Sequence, residues 1–240
     1  MNILIIGACS KIAEEFGKLY ADKDNSLFLV ARDIDKLNSV KTNLEVIGVK
    51  EVKTLISDFS KTSKLKELIS ELSIKNFDII LIAHGTLPDE QKAKDNFSYF
   101  LKSIKVNFIS TSEILNKLKT KVSPKGTIAV ITSVAGDRGR ASNYVYGASK
   151  AALSTYISGL RSELSGKVNI LDIKPGFVDT PMTADIDKNF LFAKPEKIAQ
   201  GIKKAIDKNK NSSIYLPFYW QFIMLIIKLI PNFIFKKLKF

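Results

Sequence analysis

Only one cysteine, Cys9, stands in the 240 residues, so no intrachain disulfide can form and nothing points to an oxidising compartment. Histidine is as scarce. His84 has no second imidazole with which to share a metal, and no metal site is expected. Acids are few beside bases, 24 Asp and Glu against 37 Lys and Arg, for a formal net charge of +13. Polyanions attract such a surface. Along most of the chain, however, the lysines are interleaved with acids, and no nucleic-acid-binding motif occurs, so nucleic acid is not an expected partner. The exception is 217–240, which carries Lys228, Lys236, Lys237 and Lys239 and no acid, a balance suited to an anionic membrane or a phosphate ligand. Long apolar runs are also missing. The opening Met1 to Ile6 is too short for the apolar region of a signal peptide and runs into Gly7 rather than a cleavage site. The tail is broken by Gln221, Lys228 and Pro231, short of the roughly 20 uninterrupted apolar residues of a spanning helix.

What is present is globular: 45% hydrophobic and 25% charged residues. Short runs rich in Ile, Leu and Val at 2–6, 27–31, 52–56, 77–83, 127–132 and 168–173 read as strands buried on both faces of a parallel sheet. Amphipathic stretches at 11–21, 35–47, 64–72, 97–122, 142–164 and 196–207 read as helices between them, and 214–216 as a last strand. Such β-α alternation predicts right-handed crossovers and an α/β doubly wound parallel sheet over 1–216. The segment 217–240 is too apolar for a solvated tail. It reads as an amphipathic helix lying in a membrane interface, with Trp220 at headgroup level, or as a helix packed on protein.

The first strand ends in Gly7-Ala8-Cys9-Ser10-Lys11-Ile12-Ala13. A small-residue turn there lets a dinucleotide pyrophosphate approach the following helix N-terminus, which makes Gly7, Ser10, Lys11 and Ile12 candidates for its cradle. The second strand ends in Arg32, where an NAD enzyme normally carries an acid for the ribose 2′-hydroxyl. A guanidinium suits a 2′-phosphate, so NADP(H) is the expected cofactor. Asp33 follows directly and leaves NAD open. Asp58, after the third strand, can accept from the adenine amino group, and Ala83 and Gly85 let the fourth strand's end pass close to the ribose. His84 between them reads as structural or cofactor-lining.

Tyr146-Gly147-Ala148-Ser149-Lys150 opens a long helix, just after a strand ending Ile131-Thr132-Ser133. The i, i+4 spacing puts phenol and ammonium on one face. A carbonyl that accepts hydride at carbon needs a proton at oxygen. Tyr146 can give it if the charge of Lys150 lowers the phenol's pKa from about 10. Ser133 can bond the carbonyl oxygen, Lys150 the nicotinamide ribose, and Asn107 the water through which Lys150 exchanges protons. In Lys174-Pro175-Gly176-Phe177-Val178-Asp179-Thr180, the turn at Pro175 and Gly176, the backbone at Val178 and the Thr180 hydroxyl would lie beside the nicotinamide amide.

In this order the motifs resemble the short-chain dehydrogenase/reductase family, up to about residue 216. The resemblance implies a Rossmann sheet of seven strands in the order 3-2-1-4-5-6-7, NADP(H), and carbonyl–alcohol interconversion by Ser133, Tyr146, Lys150 and Asn107. Two departures stand out: Ile12-Ala13 where the family's first motif ends in glycine, and Ala83-His84-Gly85 for its Asn-Ala-Gly. The stretch Ser133 to Tyr146, Ala83-His84-Gly85 and the tail from Ile230 to Leu238 are similar to reductases of polyprenyl-phosphate-linked 2-keto sugars. That resemblance implies a lipid-linked ketone substrate and a flavin oxidase as functional partner. It also implies a role in cell-envelope polysaccharide synthesis, and a cytoplasmic protein peripherally held at the inner membrane face. Arg138 and Arg140 would hold the substrate phosphate or else be solvated loop charges. By family analogy the helices at 97–122 and 142–164 would pair in a homodimer or homotetramer. Two other readings stay open: reduction of another hydrophobic ketone, 3-oxoacyl or steroid-like, and a non-catalytic dinucleotide-binding module.

Overall fold

The computed structural model describes residues 1–73 and 75–238; Lys239, counted above with the tail's cations, lies outside them. Strand and helix alternate as β1 Asn2–Ile6, α1 Lys11–Leu19, β2 Ser26–Ala31, α2 Ile34–Ile47, β3 Glu51–Ile56, α3 Thr62–Leu72 and β4 Phe77–Ile82. Two short helices follow, α4 Glu90–Asp95 and α5 Phe97–Ile104, then a π-helical turn Lys105–Ile109, α6 Ser110–Leu118 and β5 Val122–Ile131. The chain continues through α7 Tyr144–Glu163, β6 Asn169–Pro175, α8 Pro195–Asp207 and β7 Ser213–Leu216 to α9 Trp220–Leu229 and α10 Asn232–Phe235.

The seven strands pair in parallel in the order β3-β2-β1-β4-β5-β6-β7. Their apolar runs explain why both faces are covered. Alternate side chains of a strand point to opposite faces. On β1 and β2, Ile3, Ile5, Leu27 and Leu29 pack with α1, α2 and α8, whereas Leu4, Ile6, Phe28 and Val30 pack with α3, α6 and α7. Helix starts follow local chemistry: Ser10 Oγ accepts from Ala13 N at 3.2 Å to cap α1, and Pro195 opens α8. The strand order reverses between β1 and β4, and in open sheets of this kind ligands bind at the carboxyl ends beside that switch.

Three features depart from the sequence reading. The helix expected over 97–122 is α5, the π turn and α6, and β5 begins at Val122, paired with Phe77, rather than at 127. The π turn contains the fully buried Asn107, whose amide is fixed to the Thr86 backbone, so a tertiary contact overrides the local helical period. α4 was not expected.

The tail divides by face. Trp220 and Met224 are buried against Val134, Phe177 and Tyr215, while Phe218, Phe222, Leu225, Ile226 and Leu229 are exposed. No helix among the described residues is long and apolar enough to cross a membrane.

Candidate active site

The strand ends bring the expected cofactor residues to one edge. Gly7 adopts φ +84°, and a Cβ there would stand 2.4 Å from the backbone nitrogen of His84. Only glycine therefore lets the first turn lie against the end of β4. The backbone N–H groups of Lys11 and Ile12 stand in the first turn of α1, where amides lack partners within the helix. The Lys11 side chain is exposed and pairs with Glu14 at 2.7 Å, while that of Ile12 is buried. Ile12 and Ala13, the departures from glycine, fill core space beneath α1.

At the end of β2, Arg32 is exposed. Asp33 is the N-cap of α2, its Oδ1 accepting from Lys36 N at 3.1 Å. One oxygen of the acid that kept NAD open is thus used as a cap. Asp58 accepts from the Ser60 amide at 2.9 Å and hydroxyl at 2.7 Å, and the latter bond holds its carboxyl below the usual range. These residues fit a dinucleotide carrying a 2′-phosphate: a glycine turn packed close on the end of β4, a helix N-terminus with free amides, and a guanidinium where the ribose acid normally stands.

His84 is buried, its ring stacked on Phe59 at 4.1 Å. Ser110 Oγ spends its hydrogen on the Val106 carbonyl at 2.9 Å, so it accepts from His84 Nε2 at 2.9 Å, which makes Nε2 the protonated nitrogen. Burial, and next the charge of Lys150, press the imidazole pKa down to about 3. It is a neutral packing group at all ordinary pH.

Lys150 is buried and donates to the Ile131 carbonyl at 3.1 Å, with Nζ 5.7 Å from the centre of the Tyr146 ring. Burial lowers its pKa to about 8, against the opposing pull of Asp172. Tyr146 behaves differently from the sequence expectation. Burial of its hydroxyl raises the phenol to about 12, and the lowering contact is a hydrogen bond with Ser133, not the charge of Lys150. With the ammonium bonded to Ile131, desolvation outweighs that charge. Ser133 also caps the turn that follows, its Oγ accepting from Ala135 N at 3.1 Å. Asn107 donates to the Thr86 carbonyl at 2.9 Å and accepts from Thr86 N at 2.8 Å. Its Oδ1 would stand 3.0 Å from a Cβ on Gly85, so the amide anchors the loop after β4.

The turn at Pro175 and Gly176 is covered by the tail: a Cβ on Gly176 would fall 1.9 Å from the Trp220 indole. Val178 is buried and bridges to Ala193, and Thr180 caps a single 3₁₀ turn with Thr183. Arg138 is not a solvated loop charge. Its guanidinium bonds the Ile227 carbonyl, the Ile230 carbonyl at 2.7 Å and Asn232 Oδ1 at 2.9 Å, and lies 3.7 Å over the Phe235 ring. Arg140 reaches Met224 Sδ at 3.7 Å. Both arginines offered as phosphate holders thus face the tail.

Sequence reasoning missed a polar cluster beside this turn. Lys174 Nζ lies 2.5 Å from Asp137 and 3.9 Å from Asp172; Asp137 accepts from the Tyr215 hydroxyl at 2.6 Å, and Asp172 from Thr132 at 2.5 Å. Alternation on β6 gave the only signal, since Asp172 and Lys174 sit two apart on one face of a buried strand.

A family model described as short chain dehydrogenase matches residues 1–190. An uncharacterized oxidoreductase of Mycobacterium tuberculosis is 27% identical over 241 residues, covering 98% of this chain and 96% of its own. Carbonyl reductase family member 4 of Xenopus laevis is 24% identical over 211 residues, covering 82% and 87%. Among solved structures, actinorhodin polyketide ketoreductase with NADPH superposes with a TM-score of 0.75 at 18% identity, covering 89% of this chain and 94% of its own. An alcohol dehydrogenase from Thermococcus sibiricus complexed with 5-hydroxy-NADP gives 0.75 at 22% identity, covering 90% and 95%. These structural likenesses show the fold.

Proposed function

The chain belongs to the short-chain dehydrogenase family, and from that premise we propose that it is an NADPH-dependent reductase of a hydrophobic ketone in which Tyr146 is the proton donor. The observation that carries the reading is the Ser133–Tyr146–Lys150 set, in which Ser133 bonds the Tyr146 phenol and Lys150 is buried, at the same strand-end edge as the glycine turn after β1. When bound, the nicotinamide would supply hydride to the carbonyl carbon. The protein's part is at oxygen. Tyr146, protonated with a pKa near 12, gives its proton to the carbonyl oxygen as negative charge gathers there, and Ser133 bonds the same oxygen. The phenol therefore carries its proton at working pH, and its raised pKa makes it a weaker acid than a phenol beside a free ammonium would be. Lys150, fixed by the Ile131 carbonyl, orients the nicotinamide ribose and offers charge to the phenolate that remains. Asn107 stays assigned to the water that returns a proton to Lys150, its amide anchored on Thr86. Arg32 holds the 2′-phosphate, while Gly7, Ser10, Lys11 and Ile12 hold the pyrophosphate. Asp58, Ala83 and Gly85 border the adenosine and ribose, and Pro175, Gly176, Val178 and Thr180 the nicotinamide amide.

The finer reading is a polyprenyl-phosphate-linked 2-keto sugar, such as the decaprenylphosphoryl-2-keto-erythro-pentose that a flavin oxidase would supply. It is supported by the stretch Ser133 to Tyr146 and by the exposed apolar, acid-free tail, which suits a protein working at the inner membrane face on a lipid substrate. Apolar exposure at Phe97 and Leu101 on α5, Ile109 in the π turn and Tyr144 on α7 supports pairing of subunits through the segments 97–122 and 142–164. A panel of ketones tests the substrate. NADPH should be consumed with the lipid-linked keto sugar and more slowly with 3-oxoacyl or steroid ketones. Consumption with none of them, despite NADPH binding, would leave a dinucleotide-binding module.

A further inference from the structure

We propose that Arg138 is a positioning residue, a latch that holds the tail helix against the catalytic loop so that Ser133 and the turn at Gly176 keep their separation. The inference rests on the catalytic reading of Ser133 and Gly176 given above. Carbonyls in the last turn of a helix have no partner within it, and that end carries partial negative charge. α9 ends at Leu229, with Pro231 just beyond. Arg138 answers this end with one guanidinium, which bonds the carbonyls of Ile227 and Ile230, reaches Asn232 of α10, and stacks on Phe235. A planar fork with several donors can do this at once; an ammonium cannot.

The latch matters because of what α9 touches at its other points. At its start Trp220 packs directly on Gly176, the turn assigned to border the nicotinamide amide. One turn on, Met224 packs with Val134, the residue after Ser133. Arg138 lies four residues beyond Val134, in the same loop that leads to Tyr146. The neighbouring Asp137 is tied to Lys174 and Tyr215, just before Pro175 and just before the tail. The catalytic loop is therefore pinned from one side by β6 and β7 and from the other by the end of α9. A tail held only at Trp220 would leave the Val134 side of this bridge loose.

Trp220 is the only tryptophan, so its emission reports the seat of α9 directly. Arg138→Ala should shift that emission to the red, speed tryptic cleavage at Lys228, and lower kcat by about 10- to 100-fold with NADPH affinity near wild type, as expected when reacting groups are misplaced by about 1 Å. Arg138→Lys, which keeps the charge without the fork, should fall between. Because loss of a partly buried arginine can impair folding, Phe235→Ala supplies a second variant that removes the ring under the guanidinium while keeping Arg138, and should move emission and kcat in the same direction by less. Unchanged emission and kcat in Arg138→Ala, or in Phe235→Ala if the first variant does not fold, would overturn the latch. If the wild-type protein reduced no ketone, the catalytic reading would fail, while emission and proteolysis would still judge the contact between Arg138 and the tail.

Discussion

In the proposed reaction two ionisable side chains one helical turn apart govern the chemistry, and burial moves both toward their neutral forms. Tyr146, near 12, stays protonated across the working range. Lys150, near 8, loses its charge as pH rises through that value. The expected outcome is a reductive kcat/KM that declines above about pH 8, as the ammonium facing the ribose is lost. His84, near 3, should add no inflection between pH 5 and 8. A pH profile of NADPH oxidation checks both statements, and a step near pH 6.5 would contradict the second. At the other end of the cleft, Arg32→Ala should weaken NADPH by roughly 10- to 100-fold, as loss of charge-assisted hydrogen bonds does, and leave NADH little changed. Titration of both nucleotides by fluorescence reads this difference. The sequence could name these candidates because the motifs fix residue type and spacing. Their pKa values were not: the ammonium's reach to Ile131 and the burial of the phenol arise from packing across β5 and α7.

Elements place these residues, and their boundaries carry information of their own. The strands were legible because Ile, Leu and Val fill both faces of a parallel sheet, as Ile5 and Ile6 show by pointing into opposite cores. The π turn was hidden, since the apolar period through 97–122 is helical and only the buried bond between Asn107 and Thr86 breaks it. The turn after β1 is tightly constrained. Gly7→Ala forces a Cβ against the His84 backbone at positive φ and should destabilise the protein by at least about 1 kcal/mol. Thermal unfolding measures the loss, which should accompany weaker NADPH binding. A fully stable Gly7→Ala protein would mean that this turn is looser than described.

At the scale of the whole molecule, one apolar segment serves two faces. Its inner side, Trp220 and Met224, completes the wall beside Gly176; its outer side exposes Phe222 at 58% and Leu229 at 73%. Composition alone showed that the tail needed a partner, but not that two sides of one helix would divide between protein and surroundings, because that split depends on where β7 delivers the chain. With Lys228, Lys236 and Lys237 beside the outer face, the full-length protein should float with phosphatidylglycerol vesicles and much less with phosphatidylcholine. A Phe222→Asp, Leu229→Asp variant should stay behind in solution with the Trp220 emission unchanged. Equal recovery of the variant with vesicles would refute a lipid-facing tail.

The central claim is that Tyr146 hands a proton to a ketone oxygen in a site loaded with NADPH. The most direct measurement is NADPH oxidation by wild type and Tyr146→Phe with the same hydrophobic ketone, alongside NADPH binding to each. The account predicts equal binding and a rate about 10²- to 10⁴-fold lower without the phenol hydroxyl. A Tyr146→Phe enzyme that reduces the ketone at the wild-type rate would contradict it.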